Sequence, residues 1–324
     1  MNLLLWHVHG SWTTALVQGK HRYLVPVTPD RGPYGRGRAR TYPWPDTVEE
    51  VAPERLAGAD VDVVLLQRTE ELDLANRWLG RRIGRDVPAV YVEHNTPRGD
   101  VPDTRHPFAD RDDLVIAHVT HFNALFWDTG RTRTTVIEHG VPEPAARYTG
   151  ELPRLAAAVN EPVRRWRVAG TDLLPRFAAA APLDVFGIGV AGLPARLGVP
   201  PDRLSVVDDP AQDVMHREVA RRRAYLHPFR WTSLGLALIE AMAMGAPVLA
   251  LATTEAVAAV PADAGVLATR VDTLVDAAHW LIEDPDAAYR LGERGRRTAL
   301  ARYGLDRFLA DWDRLLEEER CGSR

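Results

Sequence analysis

Short, mainly apolar runs recur along this chain, each followed by a loop and then by a stretch with helical spacing. The runs are Leu3–Val8, Val61–Gln67, Val87–Val92, Leu114–Val119, Thr134–Ile137, Leu183–Ile188, Leu204–Val207, Ala224–Leu226, Pro247–Leu251 and Gly265–Leu267. Between them, segments such as Glu70–Leu79 and Glu240–Met244 space their apolar residues closer to 3.6 than to 2. A strand that is apolar on both faces has no side to offer to water. Such strands, separated by helices, belong in parallel sheets covered on both faces. About ten strands are too many for one ordinary open sheet and suit two sheets of about five. The length of 324 residues agrees, since domains run to roughly 100–200 residues. The best boundary is the polar stretch Pro142–Pro153, with Pro142, Pro144, Gly150 and Pro153, and a second unit is expected to begin near Leu155. No internal repeat or low-complexity tract is evident.

In open parallel sheets, ligands sit outside the carboxyl ends of the strands, where loop backbones and helix N-termini converge. The residues that follow the apolar runs here are His7-Val8-His9-Gly10-Ser11, Glu93-His94-Asn95-Thr96, Thr120-His121, Glu138-His139-Gly140, Gly187-Ile188-Gly189, Asp208-Asp209 and His227-Pro228-Phe229-Arg230. Seven polar ends of this kind place a cleft on that edge of both sheets, expected between the domains.

Several function classes are excluded. The formal net charge of −4 gives no overall sign of a nucleic-acid binder. Cys321, in the tail, is the one cysteine, so neither a disulfide framework nor a cysteine zinc site can form. No run approaches the roughly 18 apolar residues of a membrane span. His7 and His9 end the apolar start too early for a signal peptide, so a soluble, cytoplasmic chain is expected. Lys20 is the only lysine among 40 basic residues; such arginine use reads as the codon bias of a GC-rich genome. The basic, glycine-rich segment Arg31–Arg40 would suit an anionic acceptor or a membrane surface, but its period is not helical and a flexible loop is the default reading.

The stretch His227–Pro247 carries the most chemistry. Ser233 is a good N-cap, and Gly245 followed by Pro247 is a good stop. Between them the helix is apolar on every face except at Glu240, so it is buried. A buried carboxylate needs a partner. Two readings of Glu240 follow: a structural salt bridge to an arginine from Arg221–Arg223 or elsewhere, or an acceptor of hydrogen bonds from two vicinal hydroxyls, as a ribose offers. Free N–H groups at Ser233–Leu236 would form an anion site at the start of the same helix, with Gly235 admitting a ligand to the backbone. Diphosphate at the helix end and ribose on Glu240 describe a nucleotide.

This stretch resembles the signature of the GT-B glycosyltransferases of family 4, the group 1 glycosyltransferases: Pro-Ser-x-x-Glu-Gly-Phe-Gly-x-x-x-x-Glu-Ala-Met-Ala-x-Gly-x-Pro-Val. Pro228, Gly235, Glu240, Ala241, Met242, Ala243, Gly245, Pro247 and Val248 match in register. Val136–Val141 resembles the Val-Ile-Pro-Asn-Gly-Val that closes the family's N-terminal domain. Val92–Asn95 resembles the strand that delivers its acceptor-side histidine, and Leu183–Gly189 a strand of its nucleotide domain. Asp306–Glu318 resembles the helix that crosses back to the first domain. The match is strong over Pro228–Val248 and looser elsewhere.

The resemblance implies a GT-B fold, with two Rossmann-like, doubly wound parallel-sheet domains facing a central cleft. These are an acceptor-side domain over 1–152, a nucleotide-sugar domain over 153–304, and a returning helix with a short tail over 305–324. It implies retaining transfer of a sugar from a nucleoside diphosphate donor, with no metal and no cofactor, the nucleotide sugar being a co-substrate. The acceptor is left open among small molecules, glycans and lipid-linked acceptors, with no nucleic acid and at most peripheral membrane contact. The ribose-holding glutamate falls on Glu240, and the diphosphate turn on Ser233, Leu234, Gly235 and Leu236. The histidine lining donor sugar and acceptor falls on His94, and the glycine loop after strand one on Gly10, beside His9 and Ser11. Charge on the departing diphosphate needs cations or N–H dipoles. The family uses an arginine and a lysine, but Lys20 is misplaced, so Arg164 or Arg165 is favoured, with Arg230 beside the phosphate turn. Trp231 is the tryptophan placed to stack on a sugar. The family's first signature glutamate is replaced by Thr232, which offers one uncharged hydrogen bond and points to a change of donor.

Three alternatives stand beside this reading. One is a nucleotide-sugar epimerase of the same fold, and a second is a binder without turnover. The third is a metal-dependent amidohydrolase barrel built on His7-x-His9 with His94, His118, His121 and His139; for His7, a neutral histidine bonded to backbone is the more ordinary reading.

Overall fold

The computed structural model describes residues 1–322. Its backbone divides into two compact units, Met1–Val141 together with the chain from Leu305, and Pro142–Gly304. The boundary expected at 152/153 falls inside a strand, and the division lies at Val141/Pro142 instead.

The N-terminal unit is built on seven strands: β1 (Asn2–Leu5), β2 (Arg22–Pro26), β3 (Val48–Val51), β4 (Val63–Leu66), β5 (Ala89–Glu93), β6 (Val115–His118) and β7 (Arg133–Val136). Every neighbouring pair is parallel, in the order β3-β2-β1-β4-β5-β6-β7. The helix Glu70–Leu79 buries Leu72, Ala75 and Leu79 against Leu4, Val64, Leu66 and Ile116, which is the face its 3.6 spacing predicts. The helix Leu305–Gly322 buries Phe308, Trp312 and Leu316, and the Trp312 ring meets the Trp12 ring edge-on at 5.6 Å.

The C-terminal unit has six strands: β8 (Leu152–Ala158), β9 (Leu183–Gly187), β10 (Leu204–Asp208), β11 (Arg222–His227), β12 (Val248–Leu251) and β13 (Gly265–Ala268). They too are all parallel, in the order β10-β9-β8-β11-β12-β13. Phe177 of the helix Leu174–Ala180, with Leu274 and Leu281 of the helix Val271–Glu283, covers Leu155, Ala157, Leu226 and Leu249.

In both units the chain moves outward from the first strand in one direction, returns, and continues in the other. The reversal lies between β1 and β4 in one sheet and between β8 and β11 in the other. That is the doubly wound pattern, and crevices open at these switch points. Two open sheets also overturn the barrel required by the amidohydrolase reading. His7 is an ordinary histidine bonded to backbone, its Nδ1–H donating to the Gly37 carbonyl at 3.2 Å.

Three strands escaped the apolar-run criterion. β3 reads Val-Glu-Glu-Val because it is an edge strand, and its glutamates pair with Arg22 at 2.6 Å and Arg31 at 2.9 Å. β2 begins on the exposed Arg22 and ends in Pro26, which breaks the apolar run. β8 reads Leu-Pro-Arg-Leu-Ala-Ala-Ala, a helix-like composition, yet it holds the centre of its sheet, where small side chains fit beneath covering helices. The basic loop Arg31–Arg40 is partly tied down. Arg31 pairs with Glu50, and Arg38 donates to the carbonyls of Trp44 at 2.7 Å and Pro45 at 3.0 Å. Among the described residues, no helix is long and apolar enough to cross a membrane.

Candidate functional site

In the C-terminal unit the switch point brings together the loop after β8 and the turn after β11. The buried helix that follows runs from Leu236 to Met244 and is capped by Gly235, two residues beyond the expected Ser233 cap. Ser233 and Leu234 are buried before it, and Thr232 and Trp231 are half-buried. The helix ends as expected, with Gly245 left-handed at φ +94°. Gly235 is required for packing: a Cβ there would lie 2.6 Å from Cε1 of His227, whose buried ring stacks on Phe229 at 4.6 Å.

Glu240 is 4% exposed. Gln212 donates Nε2 to Oε1 at 2.9 Å, and Nε2 of His216 lies 3.1 Å from Oε2. Both come from the helix Gln212–Arg221. The arginine partner is not found: Arg221 pairs with Glu151 at 2.6 Å, Arg222 with Asp184 at 2.8 Å, and Arg223 donates to the carbonyls of Gly150 at 2.8 Å and Ile282 at 2.7 Å. Gln212 and His216 were not legible as site residues, because polar positions one turn apart on an exposed-looking helix read as a solvated face.

The cationic candidates separate. Arg164 is exposed and turned to the Glu161 carboxylate. Arg230 grips Asp172 through two bonds of 2.6 and 2.9 Å and donates to the Arg167 carbonyl at 2.8 Å. Arg165 instead lies 5.2 Å over the Phe229 ring at the end of β11. Burial, reinforced by the Arg165 charge, pushes the neighbouring His227 down to about 3. The short turn carrying Arg164 and Arg165 is flanked by Glu161 at φ +51° and Trp166 at φ +22°. Non-glycine residues in this region cost on the order of 1–3 kcal/mol each and cluster where a backbone is held for function.

In the N-terminal unit, Gly10 opens the helix Gly10–Leu16, with His9 before it, and the Tyr42 ring fills the space a Cβ would take, 2.8 Å away. The His9 and His94 rings lie 4.0 Å apart, and Trp12 presents its edge to His94 at 4.8 Å. Burial holds His94 well below its ordinary value, helped by His9 and His139. Burial likewise takes His9 and His118 to about 4 and His139 to about 3. Nε2 of His94, Nδ1 of His139 and both ring nitrogens of His118 have no hydrogen-bond partner among the described residues. The strand-end positions of these histidines were visible beforehand; the grouping of His9 and His139 around His94 was not. Lys20 sits on the surface, paired with Asp313 at 2.8 Å. Among the described residues, no group of three or more His, Cys, Asp or Glu is arranged to hold a metal ion.

Residues 209–298 match the family model of the group 1 glycosyl transferases. That span holds Gln212, His216, the turn after β11 and Glu240. No curated protein matches the sequence. Among solved structures, sucrose-phosphate synthase from Thermosynechococcus elongatus superposes with a TM-score of 0.74 at 14% identity, covering 100% of both chains. HepE from Anabaena in complex with UDP gives 0.69 at 13% identity, covering 98% of this chain and 99% of that one. AviGT4, a glycosyltransferase involved in avilamycin A biosynthesis, gives 0.63 at 16% identity, covering 99% and 98%. The chain has the GT-B glycosyltransferase fold.

Proposed function

We propose that the protein is a family 4 glycosyltransferase that moves a sugar from a nucleoside diphosphate donor to an acceptor hydroxyl, with retention and without a metal. The observation that carries this reading is Glu240: a buried carboxylate whose partners are an amide and an imidazole. A carboxylate offers about four lone-pair positions, so each of its oxygens keeps capacity for a hydroxyl, which a ribose diol would supply. One turn away, Gly235 and Leu236 open the helix whose free N–H groups and dipole favour a diphosphate.

In the proposed reaction the bond between the sugar and the diphosphate stretches until the sugar is oxocarbenium-like and charge gathers on the departing phosphate oxygen, while the acceptor hydroxyl oxygen bonds to the same sugar carbon and its proton passes to that phosphate oxygen. The helix N-terminus and Arg165 take up that charge. Arg230 holds the turn through Asp172 rather than the phosphate. In the N-terminal unit, His94 and His9 offer uncharged imidazoles to hydroxyl groups. Thr232, where the family carries glutamate, removes a charge from the donor-sugar position. HepE has been solved with UDP and with UDP-glucose, so uridine donors are the first to try.

Thermal-shift binding of UDP, GDP, ADP and their sugar conjugates, with a chelator present, tests this. One diphosphate is expected to stabilise the wild type, by about 2.7 kcal/mol at a hundredfold excess over Kd, and to lose most of that in Glu240→Ala. No stabilisation by any nucleotide, or stabilisation only with a divalent metal, overturns it. Thr232→Glu is expected to reorder the preferred donor sugars; an unchanged ranking removes the role given to Thr232.

A further inference from the structure

We infer that Gln212 and His216 are positioning residues, a two-point brace that aims the Glu240 carboxylate at the ribose diol. The inference rests on the nucleotide reading and goes beyond it by assigning work to a helix the reading leaves unused. Gln212 and His216 stand four residues apart, so they share one face of the helix Gln212–Arg221. Each takes a different oxygen of Glu240, at 2.9 and 3.1 Å. The carboxylate is thereby fixed against rotation, with one oxygen on each donor and the remaining lone pairs turned away from this helix.

The chemistry of the donors matters as much as their geometry. The same helix and its end carry Arg217, Arg221 and Arg222, and each is spent elsewhere: Arg217 on Asp213 at 2.7 Å, Arg221 on Glu151, and Arg222 on Asp184. A guanidinium in place of Gln212 and His216 would fork across both oxygens and neutralise them. An amide and an imidazole satisfy the buried group while leaving it a strong acceptor for hydroxyl donors. A carboxylate buried without partners would be costly, so the brace also lets the group wait for its ligand.

His216 lines a cavity of about 420 Å³ together with Ala145, Ala146, Arg147, Thr149 and Ala220. Shortening His216 therefore enlarges an existing space instead of opening a void in packed core, and the variant is expected to fold.

The test is calorimetric titration of the full chain with UDP, GDP and ADP and with the 2′-deoxy form of whichever binds. Wild type is expected to prefer the ribose form by about tenfold, the size of one hydrogen bond to a charged group. In His216→Ala and Gln212→Ala the ribose form should weaken about tenfold while the deoxy form changes little, so the preference collapses. His216→Gln, which keeps an N–H donor, should restore part of it. In a Glu240→Gln background, His216→Ala should add nothing. A merely structural loss would weaken both nucleotides equally, and that result, or an unchanged preference, overturns the brace. If wild type binds no nucleoside diphosphate at all, the nucleotide reading fails first, and the brace with it.

Discussion

In the N-terminal unit, the ends of β1, β5 and β6 and the segment after β7 deliver His9, His94, His118 and His139, all held neutral by burial. In the C-terminal unit, the equivalent edge delivers Arg164 with Glu161, Arg230 with Asp172, and Glu240 with Gln212 and His216. Both sheets wind outward from their first strand in the same way. The scaffold thus fixes where the groups converge and leaves their kind to the loop sequences. One edge presents uncharged imidazoles. The other presents paired charges and a carboxylate held by neutral donor groups.

The contrast can be broken most sharply at the two neighbouring arginines. If the C-terminal edge works by charge, Arg165→Ala should lower the transfer rate about a hundredfold, as loss of a preorganised stabiliser does, with little change in donor affinity. Arg164→Ala should stay within about twofold of wild type. Steady-state kinetics with the donor found by thermal shift checks both, and equal losses would remove the distinction.

Acid should distinguish the units next. Histidines held below their ordinary 6.5 are protonated in the unfolded chain first, so unfolding takes up protons as pH falls. The stability they contribute is complete above about pH 6.5 and is lost as pH falls toward about 4, the folded value of His9 and His118. Six such histidines, His7, His9, His21, His94, His118 and His139, lie in the N-terminal unit, against His227 in the other. Tryptophan fluorescence, which reports mainly Trp6, Trp12, Trp44, Trp78, Trp127 and Trp312 of the N-terminal unit, should show a melting temperature lower at pH 5 than at pH 7. His139→Asn should flatten that dependence; an unchanged slope would remove His139 from the set.

The smallest effect separates two glycines. A Cβ at Gly235 meets His227, 2% exposed and stacked on Phe229, so the ring cannot yield and Gly235→Ala should cost about 1–3 kcal/mol. A Cβ at Gly10 meets Tyr42, which is partly exposed and can swing aside, so Gly10→Ala should cost under about 1 kcal/mol. Urea denaturation measures the difference.

Much of the fold was legible because strands covered on both faces must be apolar throughout, and Leu3–Leu5, Val63–Leu66 and Val248–Leu251 are. The exceptions obey other forces. Glu49 and Glu50 of β3 face water at an edge, and the alanines of β8 are small because helices press on a central strand. At the candidate site, the helix carrying Glu240 stood out because one carboxylate in an apolar helix conflicts with burial. Its N-cap did not: Ser233 has the better capping chemistry, but the turn after β11 is held by packing around His227 and Phe229, and Gly235 takes the place.

By itself the sequence determined that there are two parallel-sheet units, that their strand ends are polar, and that Glu240 must find partners. These follow from local patterning, since burial acts on each residue through the period of its own strand or helix. Only the tertiary structure decided which partners: Gln212 and His216 for Glu240, Asp172 for Arg230, Glu161 for Arg164, and His9 beside His94. A hydrogen bond is fixed by distance and direction between residues far apart in the chain, and many polar residues compete for each place. Spacing along one segment holds no record of which of them arrives.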